Sequence, residues 1–142
     1  MASSKKIWRI ARSLGAVTAG YAVIVVGTTL TFETLLEGVS YQTSSRTELA
    51  LASAGAFLSG LAGGFAAAWL AGRRPVLHAA GVLVWLTFDT TWVITSGVSK
   101  DPIWFDLAGS LTLMVSAVAG GFLRRALQRS SGAASERAKD PV

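Results

Sequence analysis

The chain has 142 residues, of which 51% are hydrophobic and only 15% charged, with a formal net charge of +5, one histidine and no cysteine. Soluble domains carry about 25% charged residues, so this composition, with a mean hydropathy of +0.50, argues against a water-soluble globule. It also excludes a disordered tail protein, a disulfide-stapled secreted domain and a cysteine-ligated zinc module.

Read from the N-terminus, residues 1–12 form a basic segment carrying Lys5, Lys6, Arg9 and Arg12. Four weakly charged runs follow. Residues 13–32 and 49–72 hold no charge, residues 75–99 hold one acid, Asp89, and residues 102–123 hold one, Asp106. A helix crossing about 30 Å of hydrocarbon needs about 20 residues, and each run is long enough. None carries the polar stripe of a surface helix or the alternation of a membrane strand. The expected fold is all-α, an integral membrane four-helix transmembrane bundle over residues 13–129. Its helices are predicted at about 10–33, 48–72, 75–97 and 102–127. Gly72-Arg73-Arg74-Pro75 and Ser99-Lys100-Asp101-Pro102 mark the short connections. Residues 130–142 are rich in Ser, Gly, Ala and charge and are predicted to be a disordered tail. The basic N-terminus resembles a signal-peptide start, but the apolar run behind it is too long, so an uncleaved first helix is expected.

Charge placement predicts orientation. Eleven of the 13 basic residues fall at the two termini and in the 72–75 connection, whereas only Arg46 and Lys100 fall on the opposite side. The positive-inside rule then places both termini in the cytoplasm. Six of the eight acids, Glu33, Glu37, Glu48, Asp89, Asp101 and Asp106, lie in the outer half. The basic excess therefore reads as topology and contact with the lipid bilayer. A nucleic-acid partner is not expected, because no aromatic platform accompanies Arg124, Arg125 and Arg129. Trp8 and Trp69 fall at the inner interface, Trp92 and Trp104 near the outer one, and Trp85 between them.

Helix 2 carries small residues every fourth position: Gly60, Gly64, Ala68 and Gly72, with Ser59, Gly63, Ala67 and Ala71 beside them. Such rows let helix backbones approach closely in lipid. Helix 4 has the pairs Ser116/Gly120 and Ala117/Gly121, and helix 1 has Gly15/Ala19. The rows serve either packing within the bundle or an interface with a second copy or a larger membrane complex.

Asp89, Asp106 and Glu33 are the candidate cation or proton site, since carboxylates inside a span are costly and hard cations take oxygen ligands. The alternative is structural, with Asp106 in a first helical turn, Glu33 at an interface and Asp89 hydrogen-bonded. His78 has no partner histidine or cysteine, so neither a metal site nor any cofactor is expected. It shares a helix face with Asp89, Trp85 and Trp92, which is predicted to face the bundle. No phosphate loop, dinucleotide fingerprint, metalloprotease motif or nucleophile elbow occurs, and an enzyme is not expected.

The stretch Gly63-Gly64-Phe65 through Ala71-Gly72-Arg73-Arg74-Pro75-Val76-Leu77-His78-Ala79 resembles a family of uncharacterised small bacterial four-helix inner-membrane proteins. The resemblance covers about residues 60–80 and implies four spans and an inner-membrane address, with no activity attached. Small multidrug exporters are a poorer match: they carry an acid within helix 1, whereas Glu33 stands at its end. The expected function is a structural or accessory membrane subunit that packs through small-residue faces. The alternative is a small transporter or channel for a cation or proton.

Overall fold

Each apolar run forms one helix, because a backbone in hydrocarbon can satisfy its N–H and C=O groups only within itself. The computed structural model describes residues 2–137, with side chains over residues 7–131. Helix α1 spans Ala2–Thr29 and runs without a break into a π-helical turn, Leu30–Leu35. Helices α2 (Arg46–Ala71), α3 (Pro75–Ser96) and α4 (Ile103–Arg137) follow. All four are long and apolar enough to cross a membrane.

Two boundaries differ from those read in the sequence. Helix α1 begins at Ala2, not near residue 10, and α4 continues to Arg137, so residues 130–137 are helical where a disordered tail was expected. Ala133, Ala134, Glu136 and Arg137 are strong helix formers, and the single Gly132 costs only about 1 kcal/mol, too little to end an established helix. The remainder of the expected tail, residues 138–142, lies outside the described residues.

The helix ends have local causes. Ser45 caps α2 in a reciprocal box: its hydroxyl accepts from Glu48 N (3.2 Å), and the Glu48 carboxylate accepts from Ser45 N (2.6 Å). Gly72 ends α2 in the left-handed region (φ 70°), and after two arginines Pro75 starts α3. The chain leaves the π-turn through Glu37 (φ 52°) and Gly38 (φ 97°), where Gly38 N donates to Phe32 O at 2.7 Å.

The helices alternate up and down, with α2 between α1 and α4, and α3 closing the bundle against α4 and α1. One end, the basic end, holds the 72–74 connection. There the Arg12 guanidinium donates twice to Leu70 O at 3.2 Å, and His78 Nε2 pairs with the Ser13 hydroxyl at 3.1 Å. The opposite, acidic end is tied together by its own connections. Asp101 Oδ1 accepts from the Ser40 hydroxyl (2.7 Å) and Tyr41 N (3.1 Å), and Gln42 donates to Lys100 O. Tyr41, Trp104 and Phe105 cluster beside this tie.

The core is the reverse of a soluble one. Among the described residues eleven apolar side chains are buried, and eight of them are alanine. The bulky ones, including Val26, Leu58, Val84, Phe88, Leu111 and Val115, point outward. Surrounded by water, that surface would be an aggregation liability; in lipid it costs nothing, and small inward residues let the backbones meet.

Candidate functional site

The small residues of α2 occupy two contacts. Gly60 and Gly64 lie against α4, where an added Cβ at Gly60 would come within 2.8 Å of Leu113 O and one at Gly64 would run into the Ala117 carbonyl. Gly120 of α4 lies equally close to the α2 backbone at Leu61 and Phe65. Gly63 and Ala67 face α1, where the partner is Gly20 together with Ile24. Ala68 is fully buried. Gly72, grouped with the same row by spacing, is instead an exposed helix stop. On α1 the Gly15/Ala19 pair is not the contact, since Gly15 has open space around it. The register is Ala16, Gly20, Ile24 and Gly27, four buried or close-packed positions that one isolated Gly/Ala pair did not reveal.

This packing closes the basic half. Ile24, Ala67, Val82, Leu86 and Ala117 make one buried cluster, with Val17, Tyr21, Leu83, Leu113 and Met114 around it. Above it, toward the acidic end, the helices separate around a cavity of about 520 Å³. Leu86 and Leu113 belong to both the cluster and the cavity wall and form its floor.

Glu33, Asp89 and Asp106 all line this cavity, and so does a fourth carboxylate, Asp101. Glu33 comes from the π-turn, Asp89 from α3 and Asp106 from the first turn of α4. No lysine or arginine lines it. Asp106 Oδ1 accepts from the Ser99 hydroxyl at 3.0 Å, and the same hydroxyl accepts from Asp101 N at 3.2 Å. Thr90 and Ser110 join α3 to α4 through a hydroxyl–hydroxyl bond in the wall, and Ser53 and Thr112 add further hydroxyls. The rest is apolar: Phe32, Phe105, Leu49, Val93, Ala52 and Ala56.

The carboxylates share one chamber without forming one coordination shell. Among the described residues no three His, Cys, Asp or Glu side chains come together as a metal site. Asp89 is exposed on the flank of α3 that faces α1, with the Tyr21 hydroxyl against it. That flank also carries Trp85, which stacks on Tyr21 at 5.7 Å. Trp85 and Trp92 are nevertheless 42% and 61% exposed, so the face expected to point into the bundle lies at its edge. The inward face of α3 is instead Ala79, Val82 and Leu86. His78 is far from the acids, with Nδ1 on Arg74 O at 3.1 Å and Nε2 on Ser13. It joins the first turn of α3 to α1.

Asp101 was legible only as a connector residue. It stands in the short connection Ser99-Lys100-Asp101-Pro102, and its bonds to Ser40 and Tyr41 N tie that connection to the other one beside the cavity. Compared with known protein families, curated proteins and solved structures, the chain matches none.

Proposed function

We propose that this chain is a non-enzymatic, four-span protein of the inner membrane, with both termini cytoplasmic, whose acid-lined cavity receives a cation from the outer side as the binding chamber of a small transporter. The observation that carries this reading is the cavity itself. Four carboxylates and no basic side chain line a chamber of about 520 Å³, so the field inside it favours positive charge. The chamber is stopped at its floor by Leu86 and Leu113 and by the buried cluster beneath them. A pore open at both ends does not have that shape; an occluding, alternating-access protein in one of its states does. The small-residue faces favour this reading over an accessory subunit, because α1 and α4 already occupy them.

The test is flux in proteoliposomes holding the full chain. Saturable uptake of a cation is expected, and Asp89→Asn is expected to remove most of it while leaving helix content and melting unchanged. Equal flux in wild type, Asp89→Asn and Asp106→Asn would overturn the reading. Orientation is tested separately. The chain has no cysteine, so Thr43→Cys and Ser131→Cys each give a single label site. Only the first is expected to react with an impermeant maleimide from outside, and reaction of both refutes the topology.

A further inference from the structure

Helix α1 touches α3 along the basic half of the bundle. At the basic end Ser13 meets His78, Val17 meets Gly81, and Tyr21 stacks on Trp85. Ile24 carries this contact on into the cluster with Val82 and Leu86, and above it Gly27 meets Ser59 and Thr31 meets Gly55 of α2. Between Ile24 and Phe32 no residue of α1 lines the chamber, so its wall is open there as a side cleft between α1 and α3. Asp89 stands at the base of this cleft, one turn above Trp85, exposed although it lies about 21 Å from the start of α3 and well within its span. The same Asp89 lines the cavity, so cleft and chamber are continuous.

On this basis, and resting on the cation-chamber reading above, we propose that the occupant is an amphipathic organic monocation that enters sideways, from the outer leaflet, between α1 and α3. Three observations point to that class. No cluster suited to a metal ion is found among the described residues, so a bare inorganic ion would lack its oxygen shell. The walls are Phe32, Phe105, Leu49 and Val93 as much as carboxylates, a lining that suits an apolar body with a charge attached; aromatic faces attract cations as well. The volume of about 520 Å³ is that of a small-molecule site. An apolar cation concentrates in the outer leaflet, so a lateral opening with a carboxylate at its base meets it where it resides. A strongly hydrated ion gains nothing from such an entrance.

The experiment uses the full chain in lipid nanodiscs, with tetraphenylphosphonium as the amphipathic probe and tetramethylammonium and K⁺ as hydrophilic ones, each measured against empty discs. Tetraphenylphosphonium is expected to bind saturably. Asp89→Asn should weaken it about tenfold or more, the usual loss when a charge-assisted contact is removed, and Asp89→Glu should restore most of the affinity. Val25→Trp, one turn above Tyr21 at the cleft on α1, is expected to slow association without loss of helix content. Asp89-dependent binding of tetramethylammonium or K⁺ without tetraphenylphosphonium would overturn the amphipathic class and leave the cation chamber standing. Absence of Asp89-dependent binding by any of the three would sink both readings. Association unchanged by Val25→Trp would refute the lateral route.

Discussion

Alanine at position 20 tests the packing that closes the basic half more sharply than any larger substitution. A Cβ on Gly20 would sit 2.6 Å from both the Ala67 Cβ and the Gly63 carbonyl oxygen, about 0.8 Å inside the 3.4 Å at which ordinary contact begins. Neither neighbour can rotate away, since one is backbone and the other is the first atom of its side chain. Helices α1 and α2 must separate by most of that distance, which loosens Ala16 and Ile24 as well. Overpacking of this kind costs about 1–3 kcal/mol. Gly15 lies five residues earlier on the same helix and has nothing within 4 Å. There the same substitution only removes a poor helix former and gains about 0.5–1 kcal/mol. The two variants should therefore differ by about 1.5–4 kcal/mol with opposite signs. Reversible unfolding in mixed micelles, followed by helical circular dichroism, measures both. Equal shifts, or a stabilised Gly20→Ala, would refute the assignment of Gly20 as the α1–α2 contact.

Three further outcomes follow from the described contacts. Asp101→Ala removes the acceptor of both Ser40 and Tyr41 N; it should cost about 1–3 kcal/mol and raise amide exchange in residues 36–45 and 97–102 before anywhere else. Ser45→Ala breaks the capping box and should cost about 1 kcal/mol, read as a lower denaturation midpoint with the basic end unaffected. Gly109 lines the cavity with open space at its Cβ position, so Gly109→Leu should melt no lower than wild type yet abolish cation binding; full binding in that variant would mean the ligand sits elsewhere.

The sequence made the spans legible because lipid imposes a length and a backbone rule that leave few alternatives. The rows on α2 and α4 were legible for a similar reason: small residues every fourth position place a groove on one stripe whatever the partner. What spacing could not reveal was the partner. Gly60 and Gly63 stand three residues apart and serve opposite neighbours, α4 and α1. Gly20 and Gly27 on α1 do not stand four apart, and Gly15 drew attention to the wrong register. The π-turn at Leu30–Leu35 has no breaker residue to announce it. Of the site, the three intramembrane or near-membrane acids were visible as costly residues, whereas Asp101 required the contact between two connectors. The face of α3 was misassigned because Trp85 and Trp92 are large and apolar, a rule of burial that holds in water and reverses in lipid.

That same reversal explains where the chamber lies. In the basic half the apposed positions are Gly20 with Gly63 and Ala67, Gly64 with Ala117, and Gly121 with Ala79, so backbones touch and no space remains. In the acidic half Phe32, Leu49 and Phe105 share the wall with Ala52, Ser53, Ala56, Ala108 and Gly109. The cavity thus lies where large side chains hold the helices apart and small ones leave the space between them unfilled. The α3–α4 wall is fixed by the Thr90–Ser110 bond and by Ser99 between Asp101 and Asp106. The wall opposite is the π-turn, held to α2 by Thr31 against Gly55, with Gly27 against Ser59 just below it. A π-turn is a wider, less stable helical form that concentrates at functional positions, and this one carries both Phe32 and Glu33 into the chamber. Among the helical segments around the chamber, this turn alone departs from α-helical geometry, so Phe32 and Glu33 are presented to Asp89 on the least regular helical backbone of the wall.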